Sequence, residues 1–197
     1  MNPILLDLPI PIGTPRLILR PPQAGDGLVV NQAVLESFDT LNQWMPWADH
    51  KPSIEESEMF VRTAQAQWIL RQELTLFIFD SSKTTLLGAT GFHTINWKLP
   101  SFEIGYWIRS SYTGQGIITE STNALVCYAF KQLKAVRVEI KCDEDNIASR
   151  RVAEKLSFIC EGILKNSELK TDNKTIRDTV IYARYNENDL PPLEVFW

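Results

Sequence analysis

The stretch Tyr112-Thr-Gly-Gln-Gly-Ile-Ile-Thr-Glu120 decides how this chain is read. It follows a β-rich run, Ser101–Ile108, and opens a segment in which Leu125, Val126, Ala129, Phe130 and Leu133 recur at helical spacing. Gly114 and Gly116 let the backbone turn tightly and approach a ligand without a Cβ clash. Amides at the start of such a helix have no intrahelical acceptor. With the positive end of the helix dipole they favour an anion such as a pyrophosphate. A Gly-x-Gly before a helix also occurs as an ordinary strand-to-helix turn, so the motif alone leaves both readings open. Two nucleotide patterns are excluded. No Lys-Ser or Lys-Thr pair follows as in a Walker loop, and no third glycine or acidic partner completes a dinucleotide fingerprint.

Outward from this loop the first half reads as a strand over Arg16–Arg20, then a helix capped by Asp26 that runs to about Phe38 with Leu28, Val34, Leu35 and Phe38 on one side. Leu41–Trp47 is dense in Trp and Pro and reads as irregular. Ser53-Ile-Glu-Glu56 is a capping box that opens a second helix to about Glu73. Strands follow over Leu74–Asp80 and Leu86–Trp97. Beyond the glycine segment come a strand over Val136–Lys141, a helix over Asn146–Leu156, and strands over Phe158–Leu169 and Thr175–Tyr185. The order β-α-α-β-β-β-α-β-α-β-β implies an α/β (α+β) fold with a central mixed sheet, in one domain over residues 1–197. Residues 1–13 form an N-terminal extension and 187–197 a Pro-containing tail, which packs either on the domain or across a homodimer.

The chain has 197 residues, with 20 Lys+Arg against 24 Asp+Glu and a net charge of −4. That balance argues against a nucleic-acid partner. No apolar run reaches the roughly 18 residues of a membrane helix. The start of the chain lacks the basic region of a signal peptide. The three cysteines, Cys127, Cys142 and Cys160, form no CxxC pair, so neither a disulfide framework nor a metal site is expected. These exclusions point to a cytoplasmic protein without a metal, and say nothing about its activity.

A second motif adds what the glycine loop lacks: Asn146-Ile-Ala-Ser149-Arg-Arg-Val-Ala-Glu-Lys-Leu-Ser-Phe158, then Glu161-Gly162. With Thr14-Pro-Arg-Leu-Ile-Leu-Arg-Pro21, Trp44-Met-Pro-Trp47, Leu87-Gly88, Glu103-Ile-Gly-Tyr-Trp-Ile108 and Tyr182-Ala-Arg184, these segments occur in the order seen in the GNAT N-acetyltransferase superfamily. The chain most resembles the ribosomal-protein N-terminal (serine/alanine) acetyltransferase branch. The resemblance implies a mostly antiparallel twisted sheet flanked by helices, and acetyl-CoA as the acetyl donor. It places Gly114, Gln115, Gly116, Ile117, Ile118 and Thr119 on the pyrophosphate, and Trp107, Ile108 and Asn146 along the pantetheine arm. Thr113 and Ile118 depart from the usual loop residues, Ser157 replaces a common Gly, and Ala153 stands where many members carry a Tyr that protonates the departing thiolate.

Acetyl transfer to an amine needs a neutral amine, a stabilised oxyanion and a proton for the CoA thiolate. An α-amine, with pKa roughly 7.7–8.0, asks less of a base than a lysine at about 10.4. The resemblance implies Ser149 as the acid and Glu168 as a water-mediated base. On their own terms these are a helix-start Ser and a surface Glu. An amide on the strand ending at Ile108 is a candidate oxyanion donor. Trp44, Trp47 and His93 are candidate acceptor-binding residues. Cys142 lacks a His partner for a covalent route, which favours direct attack in a ternary complex. The acceptor is expected to be a protein N-terminal α-amine. A small-molecule amine and a catalytically silent acyl-CoA-binding module are the alternatives.

Overall fold

The computed structural model describes residues 2–197. Eight strands form one sheet in the order β1-β2-β3-β4-β5-β6-β8-β7: β1 (Ile12–Gly13), β2 (Leu17–Arg20), β3 (Leu74–Asp80), β4 (Leu86–Asn96), β5 (Ser101–Ile108), β6 (Arg137–Asp143), β7 (Ile159–Leu169) and β8 (Ile176–Arg184). Every neighbouring pair is antiparallel except β5–β6, the one parallel pair. Four α-helices complete the domain: α1 (Gly27–Trp44), α2 (Ile54–Leu70), α3 (Ile117–Lys131) and α4 (Ile147–Lys155). Alternation along the strands divides the core. Phe77, Phe79, Leu86 and Ala89 bury one face against Val30, Ala33, Val34 and Leu41 of α1 and Val61 of α2. Leu76, Ile78, Phe102 and Ile104 bury the other against Ala124, Leu125, Tyr128 and Ala129 of α3. A fully buried side chain of this kind contributes about 1.5–3 kcal/mol.

Helix α1 differs from the sequence expectation in three ways. It continues six residues past Phe38, so Leu41–Trp44 is helical and not irregular. It ends because Met45 is held extended by the following Pro46. The carboxylate of Asp26 makes no capping bond; it takes a two-point pair from Arg20 at 2.7 and 2.8 Å. Leu28 and Leu35 are exposed, since the buried stripe runs through Val30, Ala33, Val34, Ser37 and Leu41. The α2 capping box is present, with Ser53 Oγ accepting from the Glu56 amide at 3.1 Å and the Glu56 carboxylate accepting from the Ser53 amide at 2.7 Å.

The ends of the chain meet. Gly13 and Phe196 exchange backbone bonds of 2.7 and 3.1 Å, which adds one residue of strand to the β1 edge. The Phe196 ring occupies the space a side chain at position 13 would need. Leu190, Leu193 and Val195 pack on the core, and Trp197 meets Tyr128 edge-on at 5.8 Å. The tail therefore lies on its own domain. No helix among the described residues is long and apolar enough to cross a membrane.

Candidate active site

Strands β5 and β6 pair only over Ser101–Glu103 and Arg137–Glu139. Beyond that point Ile104–Ile108 and Ile140–Asp143 diverge. The last pair places Glu103 opposite Glu139, and Lys141 bridges both carboxylates at 3.0 Å. Burial works against the Lys141 charge, but the two carboxylates outweigh it and hold its pKa above the ordinary lysine value. The divergence opens a cavity of about 150 Å³ lined by Ile104, Gly105, Tyr106, Cys142, Asn146 and Ser149, together with Trp44, Met45 and Arg177. The Arg109 amide bonds back to Leu87 on β4 at 2.8 Å. Strand alternation therefore turns the Ile108 and Tyr106 amides the other way, into the opening, where no strand faces them. The Trp107 amide is directed toward β4, and its indole lies against Trp47 at 6.2 Å.

Helix α4 supplies the polar wall of this cavity. Asn146 caps the helix, its Oδ1 accepting from the Ser149 amide at 3.0 Å. That bond fixes the first turn and aims Ser149 at β5. Ser149 Oγ lies 2.8 Å from the Tyr106 hydroxyl, which also donates to the Ser149 carbonyl at 3.2 Å. Burial pushes the Tyr106 hydroxyl well above the ordinary phenol range, so it stays protonated. Burial likewise raises the Cys142 thiol, with a hydrogen bond from Ser149 partly offsetting it. Cys142 is thus a neutral thiol and not a ready nucleophile. Three exchangeable protons, on Tyr106, Ser149 and Cys142, meet at one end of the cavity. Tyr106 was missed as a functional side chain because its partner lies 43 residues away on another element.

The glycine loop stands at the start of α3. Gly116 is the N-cap in the left-handed region at φ 76°, Gly114 has φ 79°, and no side chain caps the helix. The first-turn amides of Ile117, Ile118 and Thr119 are therefore left without a side-chain acceptor, the arrangement that suits an anion. Ile117 is buried, and Ile118 packs on the core. The loop is held from outside by residues the sequence reading left unassigned. Arg16 donates to Glu120 at 2.6 Å and to the Gln115 carbonyl at 3.2 Å, while Thr14 donates to Glu120 at 2.6 Å.

Glu168 lies on β7 opposite Arg177 of β8 and is ion-paired with it; its side chain is half exposed and, unlike Arg177, is not part of the cavity lining. Trp44 lines the cavity, whereas Trp47 is exposed and packs on Trp107. His93 of β4 lies over Gly105 of β5, 3.6 Å from the Glu73 carboxylate, and is not itself part of the cavity lining. Among the described residues no cluster of His, Cys, Asp and Glu is arranged to hold a metal.

Residues 16–159 match the model of the acetyltransferase (GNAT) domain. The ribosomal-protein-serine acetyltransferase of Escherichia coli K12 is 32% identical over 154 residues, covering 78% of this chain and 83% of that protein. The probable N-acetyltransferase YjcK of Bacillus subtilis 168 is 32% identical over 161 residues, covering 81% and 84%. Two solved structures share the fold. RimL, the ribosomal L7/L12 α-N-protein acetyltransferase in complex with coenzyme A, superposes with TM-score 0.82 at 28% identity over 92% of this chain and 99% of that one. The microcin C7 self-immunity acetyltransferase MccE, in complex with acetyl-CoA and AMP, gives TM-score 0.81 at 25% identity over 87% and 93%. An open sheet with a split parallel pair and a glycine loop at a helix start is an acetyltransferase framework, and this chain belongs to the GNAT family. It is an N-acetyltransferase.

Proposed function

We propose that the protein transfers the acetyl group of acetyl-CoA to a protein N-terminal α-amine by direct attack in a ternary complex. The observation that carries this reading is Ser149 Oγ, set into the wall of the β5–β6 opening and hydrogen-bonded to the Tyr106 hydroxyl. The donor fits the residues present. The uncapped first turn of α3, with Gly114 and Gly116, would hold the pyrophosphate, and the diverging strand edges would take the pantetheine arm. The amides of Tyr106 and Ile108 face the opening and would stabilise a developing oxyanion. Ser149 would give a proton to the departing thiolate and regain one from solvent, matching the proton the amine releases to solvent through Glu168; the Tyr106 hydroxyl, which stays protonated, would hold Ser149 in place. Glu168 would take the amine proton through water from beside Arg177, the lining residue that anchors it. Ala153, buried in the core, carries no acid at the place where many family members carry Tyr, which supports a donor elsewhere in the cavity wall, such as Ser149. Two relatives are named for acetylating ribosomal-protein serine or α-amino groups, which supports a peptide acceptor. The test is thiol release from acetyl-CoA against Ser- and Ala-starting peptides, polyamines and free amino acids. Turnover confined to peptides is expected; turnover confined to small amines would replace the acceptor, and acetyl-CoA binding without any release would leave a silent module.

A further inference from the structure

We propose that Arg16 is a positioning residue for the cofactor: it aims an amide of the glycine loop and cancels the charge of Glu120, so that the loop accepts the pyrophosphate of acetyl-CoA. The inference rests on the acetyl-CoA reading above and assigns Arg16 no contact with the cofactor itself. Arg16 belongs to the β1–β2 turn, Thr14-Pro15-Arg16-Leu17. The Thr14 amide donates to the Leu17 carbonyl at 2.9 Å and the Leu17 amide donates to Thr14 Oγ1 at 3.0 Å, which closes the turn. Thr14 is buried and the ring of Pro15 fixes its own φ, so the turn is a firm base for the side chain that follows. From it Arg16 reaches a loop 99 residues further along the chain.

Two contacts define what Arg16 does. In the first, Nη1 donates to the Gln115 carbonyl at 3.2 Å. The carbonyl and the following amide of a trans peptide point opposite ways. Holding the Gln115 carbonyl therefore turns the Gly116 amide away from Arg16, and that amide has no backbone partner among the described residues. In the second, the Glu120 carboxylate accepts from Nε at 2.6 Å and pairs with Nη2 at 2.5 Å. Glu120 lies in the first turn of α3, where a carboxylate suits the helix dipole but repels a second anion. Its side chain is 12% exposed, so solvent screens its charge poorly. Arg16 cancels that charge and leaves the loop with the net attraction of its amides. Without Arg16, the pyrophosphate would meet an uncompensated carboxylate.

The test compares two acetyl donors, acetyl-CoA and S-acetylpantetheine, with a Ser-starting peptide as acceptor. The second donor has the same thioester and arm but no pyrophosphate. General damage to the fold lowers kcat/KM for both donors, whereas a loss at the pyrophosphate lowers the ratio of acetyl-CoA to S-acetylpantetheine. Arg16→Ala should lower this ratio about 10-fold, the scale of a lost charge-assisted bond. Arg16→Lys keeps the charge and should hold the ratio within about three-fold of wild type. Glu120→Gln removes the repelling charge and should hold or raise the ratio. The double variant Arg16→Ala/Glu120→Gln should regain about three-fold over Arg16→Ala alone. An unchanged ratio in Arg16→Ala, an equal loss in Glu120→Gln, or a double variant as poor as Arg16→Ala overturns the proposal and leaves the acetyltransferase reading standing. Calorimetric Kd values for CoA should follow the same order, which tests the proposal independently of turnover. Failure of CoA to bind the wild type overturns both.

Discussion

Ser149→Ala separates a catalytic serine from a structural one, because the two roles predict opposite balances of rate and stability. The substitution removes Oγ, one of two acceptors 2.8 and 3.2 Å from the buried Tyr106 hydroxyl. The remaining contact, to the Ser149 carbonyl, survives, so Tyr106 is not left orphaned. The helix cap also survives, because Asn146 binds the Ser149 amide and not its side chain. The stability loss is then that of one net hydrogen bond, about 0.5–1.5 kcal/mol. For a chain of this length that is a fall in Tm of about 2–4 °C per kcal/mol. Loss of a positioned proton donor, by contrast, lowers kcat about 10²- to 10⁴-fold. Thiol release under saturating acetyl-CoA and peptide measures kcat, and thermal unfolding measures the rest. Tyr106→Phe keeps Ser149 but removes the group behind it, and should lower kcat less than Ser149→Ala does. A Ser149→Ala enzyme within three-fold of wild type, or one whose acetyl-CoA affinity falls as far as its rate, would refute the assignment of Ser149 as the acid.

The same geometry predicts three other outcomes. Gly116→Ala keeps open space around the new Cβ, with Arg16 Nη2 nearest at 3.8 Å, but forces alanine to φ 76°. That conformation costs about 1–2 kcal/mol, so the KM for acetyl-CoA should rise about 5- to 30-fold; an unchanged KM would separate the loop from the cofactor. Deleting Phe196 and Trp197 removes two backbone bonds to Gly13 and the edge contact with Tyr128. The urea midpoint should fall by the equivalent of about 2–4 kcal/mol, and an unshifted midpoint would mean the tail does not hold the β1 edge. At Glu161, hydrogen bonds from Arg137 and then Tyr185 hold the carboxyl at about 2, below the roughly 4.3 of an unfolded Glu. A depressed folded pKa stabilises above the unfolded value and loses that contribution as pH falls toward 2. Glu161→Gln should therefore be less stable than wild type at pH 7, with the gap closing by pH 2; a gap that stays constant contradicts the pairing.

What could be read before the fold was known follows the range of the interactions. The α2 capping box, the Asn146 cap and the left-handed glycines at 114 and 116 depend on residues within a turn of one another, and their types alone signal them. The end of α1 was hidden because Trp44, Met45, Pro46 and Trp47 look irregular, although Pro46 disfavours only its predecessor, leaving Leu41–Trp44 free to stay helical. Asp26 resembles a cap locally, yet its carboxylate goes to Arg20 across the turn. The β5–β6 opening has no local signal at all. It arises between strands separated by the whole of α3, and only there do Tyr106 and Ser149 meet. Arg16 and Glu120 are likewise remote in sequence, and their joint hold on the glycine loop was legible only as membership of two quoted motifs.

The central claim, acetyl transfer from acetyl-CoA to a peptide α-amine, is tested most directly on one peptide that offers both kinds of amine. A Ser-starting peptide with an internal lysine is incubated with the enzyme and acetyl-CoA, and the product is fragmented in a mass spectrometer. The account predicts a single acetyl group on the terminal serine nitrogen, with one thiol released per peptide modified. Acetylation of the lysine side chain, or an unmodified peptide in the presence of bound acetyl-CoA, would contradict it.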